Sequence, residues 1–132
     1  PQHCSITMMT FSTNQPSECG VVELDNQNIV TSFYEKVSNP PSNIANAAIY
    51  LIEPEALSWI FEQDDILDFS TQVLPRFIGS IASWHNDQIH RDIGTIANLR
   101  LAQLDPRPTS NEEILDEWGK DFVNNPLHKE LS

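Results

Sequence analysis

Four short stretches of this sequence carry side chains whose types and spacing could do chemistry. Cys19-Gly20 ends a polar loop. A glycine there lets a backbone N–H or C=O approach a ligand closely, and equally lets the chain turn. Glu35 and Lys36 place an acid and a base side by side. That pair could divide a sugar phosphate, carboxylate to hydroxyls and ammonium to phosphate, or stand as a solvated charge pair. Asn46 interrupts the apolar run from Ile44 to Ile52. Its amide can donate to and accept from a ligand's hydroxyls, or bond to backbone as a core residue. The fourth stretch joins His85-Asn86-Asp87 to His90-Arg91-Asp92-Ile93-Gly94-Thr95. Asp92 falls just before an expected helix N-terminus, a place where Mg²⁺ and phosphate can meet a carboxylate. The two His and two Asp could suggest zinc, but their spacing matches no closed structural site.

Those side chains need elements to hold them. Ile6 to Phe11, Val21 to Leu24 and Ile29 to Lys36 read as strands, the last two joined across Asp25-Asn26-Gln27-Asn28 as a hairpin. Strict alternation in the third run puts Glu35 and Lys36 on opposite faces, pointing apart. Ile44 to Ile52 fits a strand covered on both faces. Pro54 suits the first turn of a helix with Leu57, Ile60 and Phe61 along one stripe. Asp68 can cap a second helix in which Phe69, Val73 and Phe77 share a face, with Pro75 bending it or using its first turn. Ile81 to His85 and Ile89 to Ile93 read as two more strands around Asn86-Asp87. Alternation in the last of them puts His90 and Asp92 on one face and Arg91 on the other. Gly94-Thr95 opens a helix lined by Ala97, Leu101 and Leu104, which Asp105-Pro106-Arg107-Pro108 stops. Ser110 with Glu113 is a capping-box pattern for a final amphipathic helix carrying Ile114, Leu115, Trp118 and Phe122. Strands and helices alternate irregularly, so the expected class is α/β or α+β with a mixed sheet.

Composition narrows the function classes. The chain has 132 residues, enough for one domain with a core, and its 19 Asp+Glu against 7 Lys+Arg give a formal net charge of -12. Such a surface argues against nucleic acid and acidic membranes as partners. No apolar run approaches the ~18 residues of a membrane span and no signal peptide is visible, so a soluble, cytoplasmic protein is expected. Cys4 and Cys19 form neither a CxxC pair nor a disulfide framework. Pro1 is not an initiating Met and Ile6 already begins a strand, so the chain is expected to be a piece of something longer.

Taken in order, Cys-Gly-Val-Val-Glu-Leu-Asp at 19 to 25, Phe-Tyr-Glu-Lys-Val at 33 to 37, Asn-Ile-Ala-Asn-Ala-Ala-Ile-Tyr at 43 to 50 and His-Arg-Asp-Ile-Gly-Thr at 90 to 95 resemble the second half of the sugar-1-phosphate nucleotidyltransferases. Asp68 to Pro75 resembles the helix which that family places between its last strands. Among its branches the chain looks most like bacterial guanylyltransferases acting on mannose 1-phosphate or D-glycero-D-manno-heptose 1-phosphate. The resemblance implies the mixed-sheet, C-terminal portion of a Rossmann-like, GT-A-like fold. It also implies that Lys36 neutralises the sugar phosphate while Glu35, Asn46 and the backbone at Gly20 hold sugar hydroxyls. Asp92 would be one of two Mg²⁺ ligands. On this reading residues 1–104 are the sugar-phosphate half of the catalytic domain, and 105–132 an acidic tail with one helix.

The departures from the family pattern are specific. Val37 stands where Pro often follows Glu-Lys, Ala47-Ala48 where Gly is usual, His90 where Trp is common and Ile96 where Pro often starts the last helix. The family's nucleotide-binding half is absent, with its Gly-rich loop and second metal Asp; the 4 glycines here are too scattered to cradle a phosphate. The resemblance therefore implies an enzyme as parent, using a nucleoside triphosphate, a sugar 1-phosphate and Mg²⁺, with this chain alone inactive. The competing reading is a non-catalytic sugar-phosphate-binding or regulatory subunit that engages a partner through its C-terminal helix. A sheet separated from its other half should also expose an apolar edge or face, with homo-oligomers as one outcome.

Overall fold

The computed structural model describes residues 3–106, which divide into two compact units, the first ending at Asp92 and the second starting at Ile93. The first unit is built on a five-stranded mixed sheet. Its strands are β1 (Ile6–Ser12), β2 (Gly20–Leu24), β3 (Val30–Glu35), β4 (Ile44–Ile52) and β5 (Ile81–His85), in the order β3-β2-β4-β1-β5. β1 runs antiparallel to β4 and parallel to β5, while β2 is antiparallel to both β3 and β4. The class is α/β with a mixed sheet, and the second expected hairpin strand ends one residue earlier than the sequence suggests, at Glu35.

Successive residues alternate between two faces. One face carries Ile6 and Met8 of β1, Val22, Val30 and Ile81, and closes with Leu74 into a fully buried cluster. Ile44, Tyr50, Ile52, Phe33, Phe69 and Phe77 pack around it half-buried. The sheet curls about this face. Ser83 N donates to Asn28 O at 2.8 Å, Gly79 N donates to Val30 O at 2.9 Å, and Ile29 bridges Ala82. The start of β3 thereby covers the edge of β5 that β1 leaves open, which removes one free template for strand addition. The opposite face stays open: Thr7, Met9, Ile49, Leu51 and Trp84 line an apolar hollow, with Leu51 74% and Trp84 59% exposed. An exposed apolar face fits a sheet separated from its other half, but Ile49 and Leu51 show that β4 is not covered on both faces as its apolar run suggests, because no layer packs on its second face among the described residues.

β4 is not regular. Between the pairs Met8↔Tyr50 and Thr10↔Asn46, β1 spends only Met9 where β4 spends Ala47, Ala48 and Ile49. This bulge puts Ala48 at φ 56, in the left-handed region, and Asn46 Oδ1 accepts from Ala48 N at 2.9 Å to hold it. A left-handed alanine costs about 1–2 kcal/mol, partly offset by the ~0.4–1 kcal/mol that glycine loses to its freer unfolded chain. Ala48→Gly is therefore expected to raise stability by about 0.5–1 kcal/mol, read as a shifted urea midpoint at constant slope. A less stable variant would mean that the exposed Ala48 methyl is packed after all.

Helix α1 (Pro54–Phe61) begins with proline in its first turn as expected, but its buried side differs. Ala56 is buried and Trp59 and Ile60 half-buried, whereas Leu57 and Phe61 are exposed. Trp59 meets Phe77 edge-on at 5.4 Å, which turns the helix toward its 56/59/60 side. The expected second helix is a π turn (Phe69–Val73) followed by a 3-10 turn (Leu74–Phe77) with Pro75 in its first positions. Asp68 caps it as its sequence suggests: Oδ1 accepts from Thr71 N at 2.7 Å.

One expected strand does not form. After His85, Asn86 N still donates to Thr10 O at 2.8 Å, but the Asn86 side chain then accepts from Gln88 N at 3.0 Å. That Asx turn leads the chain out of the sheet, so residues 89–93 are irregular and the alternation of His90, Arg91 and Asp92 has no strand to act on. In the second unit, α2 (Ile96–Ala102) is capped by Thr95, whose hydroxyl accepts from Asn98 N at 3.1 Å. Leu104 lies in the turn beyond it. The amphipathic helix expected around Trp118 lies outside the described residues, and no helix among the described residues is long and apolar enough to cross a membrane.

Candidate sugar-phosphate site

The register of the sheet brings the expected residues into one row. Glu35 on β3 pairs with Gly20 on β2, and the pair Val21↔Ala45 sets Gly20 beside Asn46 on β4. Gly20 leaves a notch between the two side chains. A methyl built there would lie 2.7 Å from Glu35 Oε2 and 2.7 Å from Phe33 Cζ, so the carboxylate and the ring already occupy the space above the glycine. The requirement for glycine is thus steric, imposed by the side chains that fold over it.

Lys36 departs from the strand pattern. Its N–H donates to Cys19 O at 3.2 Å while its φ is 49, so the chain turns out of β3 at this residue. Glu35 and Lys36 consequently do not point apart: Lys36 Nζ comes within 3.8 Å of Glu35 Oε1. The lysine side chain is 67% exposed and the glutamate 31%, so this pair adds little to stability and leaves the ammonium open to a ligand.

Asn46, expected to need partners inside its apolar run, has them. Its Nδ2 donates to the Tyr50 hydroxyl at 2.6 Å and its Oδ1 holds the bulge. Tyr50 in turn rests on Phe69, ring centroids 4.7 Å apart, and its hydroxyl also engages Ser70. Burial pushes the Tyr50 phenol above its ordinary range, against the hydrogen bonds from Asn46 and Ser70, and the charges of Glu35 and Asp68 push the same way as burial. Asp68 sits low instead. The Thr71 N–H and hydroxyl and the Ser70 N–H stabilise its carboxylate, with a smaller pull from Lys36. Glu35, Lys36, Asn46, Tyr50, Asp68 and Ser70 therefore feel one another across three segments of the chain. Tyr50, Asp68 and Ser70 were not marked as site residues by their sequence. The only signal available was the four-residue spacing of Asn46 and Tyr50, which acquires meaning through the bulge between them.

Because Asp68 has a lowered folded pKa, its contribution to stability is present above the ordinary value of about 3.9 and is lost as pH falls through the folded one. Asp68→Asn is expected to flatten the fall in urea midpoint as pH drops below the ordinary carboxylate range, while leaving the rest of the profile in place. An unchanged acid limb would show that the cap does not hold in solution.

Asp92 is placed differently. It is exposed, on the irregular segment that ends the first unit, away in sequence from the row that holds Gly20, Glu35 and Asn46. Among the described residues no three His, Cys, Asp or Glu side chains converge to hold a metal ion, and no disulfide links Cys4 to Cys19. One carboxylate from this chain suits Mg²⁺ as part of a shared site, since that ion commonly takes one or two carboxylates with waters and substrate phosphates.

The family model for nucleotidyl transferases matches residues 1–107. The chain belongs to the nucleotidyl transferase family. A glucose-1-phosphate adenylyltransferase of Thermomicrobium roseum is 29% identical over 115 residues, covering 78% of this chain and 27% of its own length. One from Lachnospira eligens is 30% identical over 114 residues, again spanning 27% of the relative. This nucleotidyl transferase chain therefore spans about a quarter of the length of the curated relatives it matches. Its fold is similar to that of a Bacillus anthracis protein assigned as a glucose-1-phosphate thymidylyltransferase, with a TM-score of 0.64 at 24% identity over 78% of this chain and 44% of that one.

Proposed function

We propose that this chain carries the sugar-phosphate side of a sugar-1-phosphate nucleotidyltransferase, the observation behind it being the row of Gly20, Glu35 and Asn46 across the sheet with Lys36 turned back to Glu35 at the end of β3. The Lys36 ammonium neutralises the phosphate of the sugar 1-phosphate. The Glu35 carboxylate and the Asn46 amide, the latter oriented by Tyr50, take sugar hydroxyls with the backbone at Gly20. Held this way, a phosphate oxygen of the sugar 1-phosphate attacks the α-phosphorus of a nucleoside triphosphate in line. The new P–O bond forms as the bond to the bridging oxygen breaks, and pyrophosphate leaves with the electron pair. The protein's part is positioning and charge neutralisation. Asp92 is the group of this chain that would hold Mg²⁺, which when bound offsets charge on the reacting phosphates. The nucleotide side, with a second metal carboxylate, is assigned to polypeptide outside these 132 residues.

The finer assignment is a guanylyltransferase using mannose 1-phosphate or heptose 1-phosphate, making GDP-mannose or GDP-heptose. It rests on the motif resemblance, Asp68 to Pro75 included. The named activities of the relatives support ATP with glucose 1-phosphate as the competing pair. Pyrophosphate release by the longest polypeptide encoded around this segment, assayed with GTP plus mannose or heptose 1-phosphate and with ATP plus glucose 1-phosphate, separates them. Release with the second pair alone overturns the guanylyl assignment, and release with neither overturns the enzyme reading in favour of a binding subunit.

A further inference from the structure

A hollow of mixed polar and apolar lining lies where the curled sheet closes, and none of its lining residues belongs to the row of Gly20, Glu35 and Asn46. It has a volume of about 330 Å³ and presents the hydroxyls of Ser12 and Ser83, the amides of Asn28 and Asn43 and the imidazole of His85. Leu24 and Ile44 supply its apolar floor. No Asp, Glu, Lys or Arg lines it, so its chemistry is that of a neutral ligand rich in hydroxyls with one C–H face, at the lower end of small-molecule site volumes.

The hydroxyl and imidazole side chains, and the backbone that carries the two asparagines, are fixed by the fold before any ligand arrives. Thr10, fully buried, lies 2.8 Å from Ser83 Oγ and 3.1 Å from His85 Nδ1, while Ser12 Oγ lies 3.4 Å from His85 Nε2. Asn28 is held at φ 60 with its carbonyl accepting from Ser83 N at 2.8 Å. The loop carrying it is tied down by Asp25, whose Oδ1 accepts from Gln27 N at 2.8 Å and Ile29 N at 2.9 Å. On the other wall Asn43 O accepts from Thr13 N at 3.0 Å. The Ser83 and Ser12 hydroxyls and the His85 imidazole, held by Thr10 and by one another, with two asparagines on tied-down backbone and the aliphatic Leu24 and Ile44, match the alternating O–H and C–H surfaces of a pyranose.

We propose that this hollow is a binding site for a neutral carbohydrate ring, distinct from the site that takes the sugar phosphate. The inference does not rest on the nucleotidyl-transfer reading. Its test is an amide NMR titration of the 132-residue chain with the methyl glycosides of D-mannose and D-glucose, which carry no phosphate. The expected result is saturable shifts at Asn28, Ile44, Ser83 and His85 with roughly millimolar affinity. Asn43→Ala, an exposed change, and Ser83→Ala each weaken binding by about tenfold, whereas Lys36→Ala leaves it unchanged. Absence of saturable shifts overturns the proposal. So do shifts confined to Gly20, Glu35 and Asn46, which would make the neutral sugar a weak ligand of the phosphate site.

Discussion

Lys36→Ala is expected to weaken binding of a sugar 1-phosphate by about 10- to 100-fold, the range for losing one hydrogen bond between ionised groups. Calorimetry with glucose 1-phosphate and mannose 1-phosphate reads it directly. Among the described residues the lysine's one ion pair is with the half-open Glu35, 3.8 Å away, so the melting temperature should move little. Backbone and charge can be separated, because Lys36 sits at φ 49. Lys36→Gly relieves that conformation while removing the ammonium, and should lose as much affinity as the alanine variant without losing stability. Affinity unchanged within twofold in both variants would remove Lys36 from the site. A companion readout is Asp68, whose carboxyl should titrate slightly higher once Lys36 is gone, since Lys36 is the smallest of the influences holding it down.

Gly20→Ala should strike both stability and binding. The new methyl meets Glu35 Oε2 and Phe33 Cζ at 2.7 Å, closer than real side chains approach. The carboxylate ends a flexible chain and swings away at small cost. The Phe33 ring packs on the core cluster and yields less easily, so the variant is expected to lose about 1–3 kcal/mol in urea unfolding. Displacing the Glu35 carboxylate from its place over the notch should lower sugar-phosphate affinity by about tenfold, as one charged hydrogen bond to a hydroxyl is lost. Glu35→Gln, which keeps the packing and removes the charge, gives the comparison. If Gly20→Ala destabilises the chain but binds the sugar phosphate normally, Glu35 has only a structural part.

Much of the scaffold was legible residue by residue. Ile44 to Ile52 forms a strand with the bounds its apolar run suggests, Pro54 opens α1, and Asp68 and Thr95 cap the segments that follow them. Each of these is a local effect: a period of two, a fixed proline φ, a side-chain oxygen within reach of the next turn's N–H. The errors were local patterns overruled by a neighbour. Residues 89–93 have strand-like residues, but the Asn86 side chain captures Gln88 N first. Leu57 and Phe61 have helical spacing, but Trp59 finds Phe77 and turns another side inward. Lys36 has a strand's position and a left-handed backbone, which no alternation rule foresees.

The sequence by itself determined most of the element types and the net acidic charge, and singled out Gly20, Glu35, Lys36 and Asn46 as the candidates for holding a sugar phosphate. Their motif order was enough to indicate the nucleotidyl transferase family. Tertiary structure alone decided that β2, already the hairpin partner of β3, also pairs with β4, which makes Gly20 the notch between Glu35 and Asn46. It also brought Tyr50, Ser70 and Asp68 to that notch and closed the sheet on Asn28 and Ser83 to shape a second hollow. The physical reason is that hydrogen-bond register and side-chain packing join residues far apart in the chain, whereas turn chemistry and periodicity act within a few residues.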